Sequence, residues 1–263
     1  MNETGAGMRS EKLTTRQRRF VILGTQRTGT ILLMGLLDSH PEIASVGELF
    51  QHRADYVQHS VPRYRLYVAS SPKNRILDLV ARRSIVRSYL DSVFVILDTP
   101  VAGFKLMLDQ ARRFPMVLDY LKAHDFKIIN IVRQNLLKTH VSRLRALETG
   151  VYMSTGKAEK VLLHVAVDSL VEELMALERE YEANQRILAQ LSLDSISVTY
   201  ESISGPSGAS DLHRLLSFLG VDLDVRLEPR STKITPDDLS KAIANYEEVA
   251  STLKGTAYQQ FLK

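Results

Sequence analysis

The chain has 263 residues, enough for one large α/β core and too few for two of comfortable size. It contains no cysteine, which excludes a disulfide framework, a cysteine nucleophile and a thiolate metal site, and no segment reaches the roughly eighteen apolar residues of a membrane span. The formal charge of +4 suits an anionic small ligand better than a nucleic-acid surface, for which a basic stripe is expected.

Residues 1–18 are polar and aperiodic and read as a mobile tail without the apolar core of a signal peptide, so a cytoplasmic protein is expected. Phe20 to Leu23 is a short apolar run of the kind that forms a buried parallel strand, and from Ile31 the leucine spacing is helical. Between them lies Gly24-Thr25-Gln26-Arg27-Thr28-Gly29-Thr30. A strand that turns through such a loop into a helix aims several backbone N–H groups and a helix dipole at one spot, an arrangement suited to an oxyanion. The same turn would also serve merely to join two elements. A Walker A loop has lysine and then Ser or Thr after its second glycine. Here Thr30 and Ile31 stand in those places, and the cation sits within the loop as Arg27. A loop without a magnesium hydroxyl suits a transferred group less charged than a γ-phosphate, such as sulfuryl.

Pro41 ends the first helix, and Ile43 to Val46 reads as a short strand leading to Gly47-Glu48-Leu49-Phe50. Residues 51–71 are irregular and serve either as an acceptor pocket or as a solvated connection. Asn74 to Tyr89 reads as one amphipathic helix with Ile76, Leu79, Val80, Ile85 and Val86 inward. Pro100 to Leu106 and Lys127 to Val132 are further strands, with helices over Phe114 to Ala123 and Leu136 to Leu147. Gly150 to Gly156 is a break, Glu159 to Leu191 a long helix and Ser195 to Tyr200 a fourth main strand. Asp211 is expected to cap a helix ending at Leu219-Gly220, and a loop over Arg226 to Thr235 precedes helical segments to Leu262. This alternation predicts a doubly wound, P-loop-like three-layer α/β fold with a central parallel sheet and a helical C-terminal region. Ligands of such sheets bind beyond the carboxyl ends of the strands, where Arg27, Lys105 and Arg133 fall.

Arg27-Thr28-Gly29-Thr30, together with LGTQRTGT and the following LLDSHPEIASVGELF, resembles the sulfotransferase superfamily, particularly its bacterial and carbohydrate-type branch. The resemblance extends to IVRQNLLKTHVSRLRA, to Val198-Thr199-Tyr200-Glu201-Ser202, to the helix ending Phe218-Leu219-Gly220, and to Thr232-Lys233 with the tail carrying Asn245-Tyr246. It covers about residues 19–262 and is weakest over 51–100. It implies a single sulfotransferase domain over 19–263 that uses 3′-phosphoadenosine-5′-phosphosulfate (PAPS) as co-substrate without a metal. Thr25, Gln26, Arg27, Thr28, Gly29, Thr30 and Ile31 would hold the 5′-phosphosulfate. Arg133 and Ser142 would hold the 3′-phosphate, Tyr200 would lie by the adenine, and Thr232 and Lys233 would cover the nucleotide. Ser202 replaces the family's aspartate. Arg27 and Lys105 would neutralise charge in the transition state. Met107 occupies the place of the histidine base of the cytosolic branch, so Glu48 is the expected base, with His40, His52 and His59 as substitutes. The acceptor would be a hydroxyl of a sugar, glycolipid or natural-product alcohol, and a homodimer is compatible with the reading. A P-loop nucleotide kinase, disfavoured by Thr30 and Ile31, and a non-catalytic nucleotide-binding protein are the alternatives.

Overall fold

A computed structural model describes residues 16–51, 57–151, 161–205, 208–229, 236 and 238–262. Five parallel strands form the central sheet: β1 (Arg18–Gly24), β2 (Ile43–Glu48), β5 (Val101–Met107), β6 (Lys127–Val132) and β7 (Ser195–Thr199), in the order β2-β5-β1-β6-β7. A two-stranded hairpin, β3 (Val57–Gln58) and β4 (Val61–Pro62), stands apart from it.

The strands are apolar on both sides because both sheet faces are covered by helices. Phe20 and Ile22 of β1 pack with α1 (Thr30–Leu37) and α10 (Gly208–Leu219). Val21 and Leu23 face the opposite way, toward α4 (Arg82–Ile96), α6 (Met116–Ala123) and α8 (Leu170–Leu191). A third cluster joins α7 (Leu136–Thr149) and the first half of α8 to α11 (Tyr246–Leu253) and Tyr258, which makes the C-terminal region helical as expected. After β1 the chain fills one side of the sheet with β2 and β5 before crossing to β6 and β7, so the order reverses around β1. The crevice at such a reversal opens at the carboxyl ends of β1 and β6.

Three expected elements differ. The helix drawn over Asn74 to Tyr89 is two, α3 (Pro72–Val80) and α4, separated at Ala81, whose φ of −144° is not helical. In a continuous helix Arg83, seven residues beyond Ile76, would share the inward stripe; the break resets the phase and lets Ile85, Val86, Tyr89, Leu90 and Val93 face the core. Ile76, Leu79 and Val80, expected inward, are exposed. The long helix expected from Glu159 starts at Leu170. Before it, Leu163 and Val165 are buried in an extended segment, with Leu163 N–H donating to Ala242 O at 2.9 Å and Ala244 N–H to Leu163 O at 2.8 Å. That partner lies eighty residues away, beyond the reach of local periodicity. Asp211 sits inside the first turn of α10, paired with Arg214 at 2.5 Å, and does not cap it. The helix ends where expected, at Gly220, whose φ of 73° is the left-handed turn that favours glycine. Most of the expected mobile tail, most of the 150–156 break and much of the 226–235 loop fall outside the described residues.

Candidate active site

The loop from β1 to α1 is held by side chains that bond to its carbonyls. Thr28 Oγ1 donates to Thr25 O at 2.9 Å, Arg143 Nη2 to Gln26 O at 3.4 Å and Arg133 Nη1 to Arg27 O at 3.4 Å. Three consecutive carbonyl oxygens are thus held by side chains, one local and two from α7 and the turn before it. Arg27 adopts φ 67° and Gly29 φ 92°, so two residues of the loop are left-handed. An arginine adopts that conformation only when its surroundings impose it. Gly29 is also the N-cap of α1 and makes no side-chain cap, which leaves the first N–H groups of that helix directed into the loop.

Gly29 is required for space as well as for its dihedral angle. A Cβ there would lie 2.4 Å from Cδ2 of Tyr200, the first residue of α9 (Tyr200–Ser204). The Arg133 guanidinium lies 4.6 Å from the centre of the same ring. Loop, ring and guanidinium therefore stack at the carboxyl ends of β1, β6 and β7. Glu201 closes this corner by accepting from the N–H groups of Gln134 (3.1 Å) and Asn135 (3.3 Å). Ser202, in the family's aspartate position, caps the end of β7 locally: its hydroxyl donates to Thr199 O at 2.9 Å.

Arg133 directly follows β6, and Ser142 is two turns into α7, whose N-cap Asn135 accepts from Lys138 N–H. Both are buried, and Arg27 Nε donates to Ser142 Oγ at 2.9 Å. The structure therefore gathers Arg27, Arg133 and Ser142 into one cluster. Arg143, which the sequence did not single out, forks onto Glu180 of α8 at 3.0 and 2.6 Å and so braces α7 and the loop together. Its only local signal was its place in the Ser142-Arg143 pair.

A second cluster lies at the carboxyl end of β2. Lys105 Nζ donates to Glu48 Oε1 at 2.8 Å, and Gln110 Nε2 of α5 (Leu108–Arg113) donates to Oε2 at 2.7 Å. The register explains the pairing: Glu48 stands opposite Lys105 after a bulge between Val46 and Glu48, and Lys105 stands opposite Ile22, two residues before β1 ends. Glu48 therefore sits on the same sheet edge as the loop. Lys105 is 8% exposed at its side chain and Glu48 22%, so the pair is largely withdrawn from solvent. Gln110, buried and helical, carried no sequence signal.

Of the substitute bases, His40 Nε2 lies 3.0 Å from Asp222 O, and His59 Nε2 lies 3.1 Å from Asp38 Oδ2, just beyond the C-terminus of α1. Eight helical residues, about 12 Å at 1.5 Å each, separate that end from the loop. His52, Thr232 and Lys233 lie outside the described residues. Asn245, in the tail that follows Thr232-Lys233, accepts from Val165 N–H at 2.9 Å and donates to Val165 O at 2.8 Å through its side chain. Among the described residues no group of three or more His, Asp or Glu is placed to hold a metal, and no helix is long and apolar enough to cross a membrane.

A doubly wound parallel sheet with a glycine-bearing loop between its first strand and first helix, and with arginines at its switch point, is a framework of the P-loop-like α/β class. Within that class, residues 19–225 match the model of the sulfotransferase family, and the chain belongs to that family. Among solved structures it is similar to a sulfotransferase from Alicyclobacillus acidocaldarius, at 16% identity and a TM-score of 0.48 over 95% of this chain and 100% of that one. No curated protein sequence matches it.

Proposed function

We propose that the protein transfers a sulfuryl group from PAPS to a hydroxyl of a carbohydrate, glycolipid or small natural-product acceptor, with residues 19–263 acting as one catalytic unit. The observation that carries this reading is the cluster of Arg27, Arg133 and Ser142 at the switch point, where a half-buried and a buried arginine and a buried hydroxyl converge beside a loop whose carbonyls are engaged by side chains. That donor set fits a nucleotide with phosphate at both ends: guanidinium groups grip phosphate oxygens with two prongs, and the loop amides add neutral donors.

The co-substrate supplies an activated sulfuryl group on a good leaving group. Arg133 and Ser142 hold the 3′-phosphate, and Tyr200, kept in place by Gly29 and Arg133, borders the nucleoside. Arg27 and the N–H groups from Thr25 to Ile31 neutralise the charge that grows on the departing 5′-phosphate, and Lys105 faces the sulfuryl oxygens. Glu48 takes the acceptor proton as the hydroxyl oxygen bonds to sulfur. Lys105 and Gln110 fix its carboxylate, one donor to each oxygen, and each oxygen keeps a further lone pair.

Incubating the purified protein with PAPS labelled in its sulfuryl group and a panel of sugars, glycolipids and natural-product alcohols tests the proposal. Label appearing on an acceptor hydroxyl supports it. Phosphoryl transfer from magnesium ATP to the same acceptors, with none from PAPS, rejects it in favour of a kinase.

A further inference from the structure

We propose that α3, with the arginine-rich segment around it, docks the protein onto an anionic phospholipid bilayer. The inference is independent of the reading of the active site. Between Arg63 and Arg87 there are seven Lys or Arg residues and one acidic residue, Asp78, a local balance of +6. The whole chain is +4, so everything outside these 25 residues sums to −2. The basic charge is therefore concentrated in one short stretch.

The same stretch exposes the wrong side chains for a helix facing water. Ile76, Leu79 and Val80 are 60%, 81% and 75% exposed, and α3 has no buried residue. At 100° per residue these three and Pro72 share one stripe of about 100°. Lys73 and Arg75 border that stripe on its two sides, and Asn74 and Asp78 lie opposite it. Asp78 is turned inward, accepting from Tyr64 Oη at 2.5 Å and from Arg82 Nε at 3.1 Å. The one carboxylate is thus removed from the outer face. The helix is held rigid for this role: Ser71 caps it by accepting from Asn74 N–H, and Leu77 packs against the core. An apolar stripe edged by Lys73 and Arg75, with Asp78 turned inward and Asp119 of α6 paired to Arg83 at 3.1 Å, matches a helix lying in the headgroup layer of an acidic membrane. A neutral protein partner would gain from the apolar stripe but not from the local +6. The segment is also tied to the active site, since Tyr64 N–H, at the start of α2 (Tyr64–Ala69), donates to Leu49 O, next to Glu48.

Co-sedimentation of the full chain with phosphatidylcholine vesicles, with and without phosphatidylglycerol, tests this. At roughly 0.1 M salt the protein should partition onto the anionic vesicles and not the zwitterionic ones, and raising the salt to roughly 1 M should release it. Leu79→Glu, at a site too exposed to disturb folding, should lower the partition coefficient by roughly tenfold or more. Lys73→Gln with Arg75→Gln should lower it by roughly fivefold per charge. Absence of binding to anionic vesicles overturns the proposal. So does binding that Leu79→Glu leaves intact, since the apolar stripe would then play no part. Sedimentation velocity without vesicles gives the remaining outcome: a dimer that Leu79→Glu converts to monomer would assign the face to a second copy of the chain and also overturn it.

Discussion

Glu48→Gln separates chemistry from scaffolding at the carboxyl end of β2. The substitution keeps the side chain's size but removes its charge and its capacity to take a proton. Lys105, 8% exposed, loses its ion pair and keeps at most a neutral acceptor, while Gln110 faces an amide instead of a carboxylate. Losing a charge-assisted bond costs about 2 kcal/mol. At about 2–4 °C per kcal/mol for a chain approaching this size, the melting temperature should fall by about 4–8 °C. Sulfuryl transfer should fall by roughly 100-fold to 10,000-fold if Glu48 is the base, with PAPS affinity nearly unchanged. Adding Lys105→Met removes the stranded buried charge and should restore most of the lost stability without restoring transfer. Calorimetry and transfer assays on the same preparations read both effects. A folded Glu48→Gln protein with wild-type turnover would refute the assignment of the base, and a double variant less stable than the single would refute the account of the ion pair.

Arg133→Ala should weaken the 3′,5′-bisphosphate product far more than adenosine 5′-phosphate, by about 1.5–3 kcal/mol for one charge-assisted contact; calorimetric titration giving equal losses would remove Arg133 from the 3′-phosphate. Gly29→Ala places a methyl group against the Tyr200 ring in a left-handed position, so nucleotide binding should fall, and Gly29→Ala with Tyr200→Ala should recover only the steric part. His140 is buried on α7, and burial holds its pKa below the ordinary value, with Arg143 acting in the same direction and Glu173 opposing. The folded state therefore prefers neutral imidazole. Its contribution to stability is present above about pH 6.5 and declines as the pH falls through that value, so His140→Gln should flatten the acid side of a melting-temperature profile.

The sheet was legible because its strands are apolar on both faces, as Phe20 to Leu23 and Lys127 to Val132 show, and because Gly and Pro mark the turns between them. Arg133 and Ser142 were singled out by the family resemblance and not by their spacing, and in the structure each bonds to Arg27, which lies far from both in the chain. What the sequence withheld depends on distant partners. Leu163 and Val165 alternate with exposed neighbours, a two-residue period, but their strand-like bonding is to residues 242–245. Gln110 reaches Glu48 only because β2 and β5 are adjacent, and Arg143 reaches Gln26 only because α7 lies over the loop. The split at Ala81 follows from the placement of Arg83 in the apolar phase, a conflict visible in the sequence but resolved only by packing.

Titration of the 3′,5′-bisphosphate product into the wild-type protein, in the presence of a metal chelator and beside parallel titrations of adenosine 5′-phosphate and magnesium ATP, tests the central claim without knowledge of the acceptor. The arrangement of Arg27, Arg133 and Ser142 predicts that the bisphosphate binds tightest and that the chelator leaves its affinity unchanged. Tightest binding of magnesium ATP, or loss of bisphosphate binding on chelation, would contradict it.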